Sequence, residues 1–127
     1  MVASSDISVR KLVCSALIRD RRFQVAAQAT DGDAVVACSV EFDAAIVDVS
    51  IAGLGILGVM SGLRRRVSGS VVVAVSRTDA IYLRHACMAE GADDYLVLPD
   101  DLDKLPGTVV EAVHTGESAS DRQPVQA

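Results

Sequence analysis

The chain reads as a doubly wound α/β domain, and three observations carry that reading. Short runs rich in Val and Ala alternate five times with helix-like segments along the 127 residues, which implies a parallel sheet with helices on both faces. Two of the runs, Ala44–Val47 and Val71–Val75, are apolar at every position, as strands buried on both sides must be. Half of the residues are hydrophobic but only 3% are aromatic, so the core is filled by small aliphatic side chains that let helices lie close on a sheet. A chain of this length has material for one core and not for two.

Each element follows from local pattern. Met1–Ser5 is an apolar stub that stops at the Ser pair. Only Met1–Ala3 precede Ser4 and Ser5, fewer residues than a central strand normally takes. The expectation is therefore a frayed first strand, or a true start upstream of this Met. Val9, Leu12, Val13, Ala16 and Leu17 recur at helical spacing and predict a helix over Ser8–Asp20. Phe23–Ala29 alternates as a strand. Asp31-Gly32-Asp33 is a turn and helix start, with Ala34–Val40 continuing as a short helix. The central strand ends at Asp48, and Leu57–Arg66 is the third helix. After the break at Gly69-Ser70 comes the strand Val71–Val75. Thr78 is placed to cap a helix over Asp79–Glu90, with Gly91 at its C′ position. Asp94–Leu98 is the last strand, closed by Pro99. The final helix runs through Val109, Ala112 and Val113 to Gly116, and Pro106-Gly107 leaves its start open. Residues 1–117 form the domain. Residues 118–127 are polar and aperiodic, and are expected to be a disordered tail.

Composition also excludes functions. A formal net charge of −5 argues against broad nucleic-acid binding; the basic clusters Arg19–Arg22 and Arg64–Arg66 read as solvated helix ends. Cys14, Cys38 and Cys87 are an odd set without ligand spacing, hence buried free thiols. No secretory signal pattern and no membrane-spanning apolar run is present. A cytoplasmic protein without membrane contact is expected.

Two functions compete for the stretch Phe42–Gly58. A carboxylate at the carboxyl end of a central parallel strand, Asp48, sits where open α/β sheets place their chemistry. The same stretch spells Gly53-Leu54-Gly55-Ile56-Leu57-Gly58, a dinucleotide fingerprint for which Ser76-Arg77 would receive a 2′-phosphate. That fingerprint wants its glycines directly after the strand. Here Asp48–Ala52 intervene, so the nucleotide reading is the weaker alternative.

The segments SDISVRKLVCSAL, ATDGDAV, FDAAIVD, VVVAVS, AEGADDYLVLP and VVEAVHTGE, in that order, resemble a response-regulator receiver domain over nearly the whole chain. FQVAAQATDG and AVHTGE look most like the subfamily carrying a helix-turn-helix output domain. The resemblance implies a flavodoxin-like (βα)₅ fold, a five-stranded parallel sheet in strand order 2-1-3-4-5. It also implies phosphoryl transfer from a histidine kinase to Asp48, with Ser76 as the switch hydroxyl, Tyr95 as the switch aromatic, and Pro99 as the proline after the lysine. The departures are as informative. The acidic pair that would hold Mg²⁺ falls on Ser4 and Ser5, with Asp6 one place beyond. The lysine position is Leu98, and the usual proline and glycine after the acceptor are Ala52 and Ile56. A hard cation wants carboxylate charge, so the resemblance implies weak Mg²⁺ binding at most, through Asp48 and Asp6.

The expectation is thus an atypical, stand-alone, non-enzymatic receiver that acts as a phosphorylation-independent interaction module. No cofactor is required. The partner is a protein (histidine kinase, other regulator or second copy) met through the face of the fourth helix, fifth strand and last helix. Arg77, Arg84, His85 and Tyr95 are the candidates on that face. Conventional Mg²⁺-dependent phosphorylation of Asp48, with Asp6 as the surviving ligand, is the alternative. A small ligand in the vacated pocket around Ser4, Ser5, Asp48 and Leu98 is a third possibility.

Overall fold

In the computed structural model, which describes residues 1–65, 70–115 and 124–127, the two all-apolar runs lie side by side at the middle of a parallel sheet. In chain order the strands are β1 (Val2–Ala3), β2 (Phe23–Gln24), β3 (Gln28–Ala29), β4 (Ala44–Asp48), β5 (Val71–Ser76), β6 (Asp94–Val97) and β7 (Val125–Gln126). The helices are α1 (Ile7–Ile18), α2 (Gly32–Ala37), α3 (Gly55–Arg64), α4 (Ile81–Ala89) and α5 (Leu105–His114), the last preceded by a 3-10 turn at Leu102–Lys104. The five-stranded sheet has the order β3-β1-β4-β5-β6. With Phe23–Ala29 counted as one second strand, this is the order 2-1-3-4-5.

Every residue of β4 is buried, and the alternation of a strand divides them between two layers. Ala45 and Val47 meet Val35, Val59, Met60, Leu63 and Cys87 from α2, α3 and α4. Ala44 and Ile46 meet Val9, Val13, Leu17, Leu105 and Val109 from α1 and α5. Small residues set the spacing. A Cβ added at Gly62 in α3 would stand 2.6 Å from a methyl of Val36, so α2 and α3 touch through bare backbone.

The elements differ from expectation mostly at their ends. Asp6 caps α1, its carboxylate accepting the Ser8 N–H, so the helix starts at Ile7; Leu12 then turns partly outward. Asp31 caps α2 in the same way, and that helix stops at Ala37. Thr78 does not cap α4. Its N–H donates to Ser76 Oγ at 3.1 Å, and the helix begins later, after Ala80. Gly91 follows α4 with φ +104°, as a C′ glycine should. Pro106 takes the first turn of α5. Arg66, Gly69 and Gly116 lie outside the described residues.

The tail corrects the sequence reading. Residues 118–123 lie outside the described residues, but 124–127 do not form a disordered end. Val125 and Ala127 are buried in the α1/α5 core layer. Val125 N–H donates to the Arg22 carbonyl (2.7 Å) and Ala127 N–H to that of Gln24 (2.8 Å), while Asp43 N–H donates to the Gln126 carbonyl (2.8 Å). Met1 takes up the next stretch of the same slot: its ammonium donates to the Ala44 carbonyl (2.9 Å), and Ile46 N–H donates to the Met1 carbonyl (2.8 Å). The slot between Phe23–Ala29 and Asp43–Asp48 is thus filled end to end by two pieces of chain. That is why the second strand splits into β2, paired with β7, and β3, paired with β1. Composition alone missed this, because only a few buried residues among polar ones carry it.

Val125→Asp is expected to lower unfolding free energy by roughly 2–4 kcal/mol, since it forfeits a buried Val and puts charge in the core. Gln126→Ala should stay within about 0.5 kcal/mol. Urea melts of the two variants decide; equal midpoints would show that the tail is not part of the fold.

Candidate functional site

The carboxyl ends of β1, β4 and β5 bring Ser4, Asp48 and Ser76 to one edge of the sheet, all three buried. Beside them lies a cavity of about 310 Å³ lined by Asp6, Asp48, Val49, Ser50, Ser76, Arg77, Thr78 and Leu83. The expected acceptor and switch positions therefore share one pocket, at the sheet edge where ligands of open α/β folds bind.

Asp48 is 6% exposed, and a buried carboxylate is costly unless hydrogen-bonded. Its Oδ2 accepts the Ser4 hydroxyl at 2.6 Å. Its Oδ1 accepts both the N–H (2.9 Å) and the hydroxyl (2.8 Å) of Ser50. Asp6 is committed as well. Oδ1 caps α1 through Ser8 N–H at 2.7 Å, and Oδ2 pairs with the Arg77 guanidinium at 2.7 Å. The Ser8 N–H, aided by Arg77, holds the Asp6 carboxyl below its usual pKa.

These residues do not fit Mg²⁺. A divalent cation at this edge needs carboxylate oxygens, and all four oxygens of Asp6 and Asp48 already face donors of the chain. Ser5 does not enter the pocket. Its hydroxyl donates to the Thr30 carbonyl (2.8 Å) and accepts the Ala52 N–H (2.9 Å), tying the loops after β1, β3 and β4 together. Among the described residues no cluster of His, Cys, Asp or Glu is arranged to hold a metal.

The remaining candidates divide. Leu98 is buried and lines a separate apolar cavity with Val9, Leu12, Arg77 and Pro99. The single vacated pocket expected around Ser4, Ser5, Asp48 and Leu98 is therefore not formed, and Arg77 stands in the walls of both cavities. That position also takes Arg77 off the helical face where it was expected. Tyr95 is 1% exposed and so is not part of an exposed face. Its hydroxyl donates to the Thr78 carbonyl at 3.3 Å. Arg84 covers its ring at 4.7 Å, donates to its carbonyl at 2.9 Å and pairs with Asp79 at 3.2 Å. Of the four, His85 and Arg77 are exposed, Arg84 is half-buried and Tyr95 is buried. Beside His85, on the expected face of the fourth helix, lie Ile81, Tyr82 and Met88, at 68%, 78% and 42% exposure. Ser50 was missed too; its place two residues after a buried Asp, a spacing suited to an Asx turn, was the available signal.

The glycine fingerprint is a packing device. Gly53 and Gly55 adopt φ of +84° and +73° to turn the chain into α3. Asp33 Oδ2 stands 2.7 Å from where a Gly53 Cβ would be, a poor neighbour for pyrophosphate. Cys14 and Cys87 are buried free thiols whose pKa burial pushes up; Cys38 is half-buried and also free of any disulfide.

Ser4→Ala removes the donor of one Asp48 oxygen and is expected to cost about 1.5–3 kcal/mol, the range for a hydrogen bond to a charged group. Chemical denaturation measures it. A loss under 0.5 kcal/mol would mean that the Ser4–Asp48 contact does not hold the site together.

No protein-family model matches the chain, and a search of curated proteins found no match. Solved structures do match. The Francisella response regulator 1452 receiver domain superposes with a TM-score of 0.79 at 19% identity, over 91% of this chain and 96% of that one. The signal receiver domain of NarL from Mycobacterium tuberculosis gives 0.78 at 21% identity, over 88% and 92%. A Burkholderia pseudomallei response regulator with a phosphorylated aspartic acid, a calcium ion and citrate gives 0.69 at 16% identity, over 94% and 72%. The edge of the sheet occupied here by Ser4, Asp48 and Ser76 thus belongs to a chain with the fold of response-regulator receiver domains, the receivers of two-component signalling.

Proposed function

We propose that this protein is a receiver-fold interaction module of two-component signalling that works without phosphorylation and without a metal. One observation carries the reading: each oxygen of Asp48 and Asp6 is already bound by a donor of the chain itself. A phosphoryl group on Asp48 would have to displace Ser4 or Ser50, with no metal to neutralise it and with Leu98 offering no donor. Conventional phosphorylation is the reading this disfavours. The switch aromatic supports the same view. Tyr95 moves outward only by giving up its bond to the Thr78 carbonyl and the Arg84 guanidinium stacked on its ring.

The partner is a protein: a histidine kinase, another regulator or a second copy. The surface that serves it is α4. Ile81, His85 and Met88 fall at i, i+4 and i+7, one stripe of a helix, with Tyr82 beside them, and Cys87 is the only fully buried residue of α4. An apolar stripe turned to solvent marks an interaction site rather than a core face. The net charge of −5 makes nucleic acid an improbable ligand. Among the described residues no helix is long and apolar enough to cross a membrane; we place the protein in the cytoplasm, as a non-enzymatic domain over residues 1–117 that the tail strand completes.

Incubation with acetyl phosphate and Mg²⁺, followed by intact-mass measurement, should show no adduct on the wild type; an adduct lost in Asp48→Asn would overturn the proposal. Self-association or partner binding should survive Asp48→Asn and weaken by about tenfold or more in Tyr82→Glu, as expected for an aromatic anchor. The reverse pattern would return the function to Asp48.

A further inference from the structure

Arg77 is the residue whose place the receiver resemblance does not explain. It follows Ser76 at the end of β5, and its side chain is 60% exposed. Instead of extending into solvent, it reaches Asp6 at 2.7 Å on the rim of the Asp48 cavity. An ion pair this exposed adds little to stability, on the order of 0–1 kcal/mol, so folding alone gives no reason for it. Its effect is local charge. Asp6, Asp48 and Arg77 line one cavity, and two carboxylates with one guanidinium sum to −1; without Arg77 they sum to −2.

We infer that Arg77 is the resident cation of this site: its guanidinium, anchored on Asp6, stands in for a divalent metal and keeps one out. The inference rests on the metal-independent reading above and adds the residue that enforces it. Asp6 cannot turn Oδ2 towards a metal while Arg77 holds it, because Oδ1 is fixed on the first turn of α1 by Ser8. Repulsion acts in the same direction. A unit positive charge a few ångströms from a divalent ion opposes it by on the order of 1 kcal/mol or more even under water-like screening. An Arg suits this role better than a Lys, since it never deprotonates and its fork holds a carboxylate in a fixed direction.

The experiment is a titration of the full chain with Mn²⁺ and Mg²⁺, read by amide line broadening and shifts at Asp48, Ser50 and Ser76. Wild type is expected to show no site-specific effect at submillimolar metal. Arg77→Gln should gain binding centred on Asp6 and Asp48, at least about tenfold tighter than wild type, and the gain should vanish in Arg77→Gln with Asp48→Asn. Arg77→Lys should retain most of the exclusion. The same spectra report whether each variant is folded, and Arg77→Ala serves as the second neutral substitution. Neutral variants that bind metal no better than wild type overturn the role of Arg77 and leave the metal-independent function standing. Wild type that binds Mn²⁺ at Asp48 overturns both.

Discussion

A carboxylate placed at the end of a fully buried central strand must find partners, and the site is arranged around that requirement. Asp48 is held in place by β4, whose five residues pair with β5 from Ala44↔Val71 to Asp48↔Val75. Its two oxygens accept three hydrogen bonds from two serines. Ser4 in turn accepts the Asp6 N–H at 3.0 Å, which fixes the residue that caps α1 and pairs with Arg77. A chain of short polar contacts therefore runs from the sheet edge to the first helix and across to β5. Among the described residues no buried side-chain polar atom lacks a partner. A fully satisfied polar network rigidifies a site, whereas a phosphorylation switch needs one that can be rearranged.

The same economy appears in the sheet. β1 is two residues long, yet the slot it occupies between the second and third strand positions is filled by Val125–Ala127 followed by Met1–Ala3. Backbone groups at a sheet interior must be paired, and the tail supplies the missing partners. The position of Ser4 depends on this arrangement, because β1 is what carries it to Asp48.

How much of this was legible beforehand depends on the range of the interaction. The alternation of apolar runs and helical patterns specifies the layers, and the two all-apolar strands specify the middle of the sheet, because burial on both faces leaves no position for a polar residue. Asp48 and Ser76 were placed at one edge by the same logic, since each closes a strand, and Ser4 joined them through the receiver resemblance. What could not be read were contacts between side chains on different elements. Arg77 looked like helix-face surface because nothing in its neighbours names Asp6, seventy-one positions earlier, as its partner. Tyr95 was placed on the interaction face by resemblance, but its ring is buried and Arg84, eleven residues before it, lies over it. Val125 carries too little pattern to be recognised as a strand until its slot is seen.

The positions where this chain departs from the receiver pattern are built into its local structure. The changes at Ser4, Ser5 and Leu98 would each leave a gap if they only deleted charge. Each is instead tied into the local structure: Ser4 bonds Asp48, Ser5 ties three loops, and the Leu98 side chain is buried while its N–H donates to the Ser76 carbonyl at 2.7 Å. The cavity beside this edge is lined in part by Leu83 of α4, the helix whose apolar stripe is presented to solvent. In a two-state receiver that surface is remodelled by a ligand event whose free energy biases the equilibrium. On the phosphate- and metal-independent reading proposed above, that bias is absent and the signal is set by the amount of the protein present.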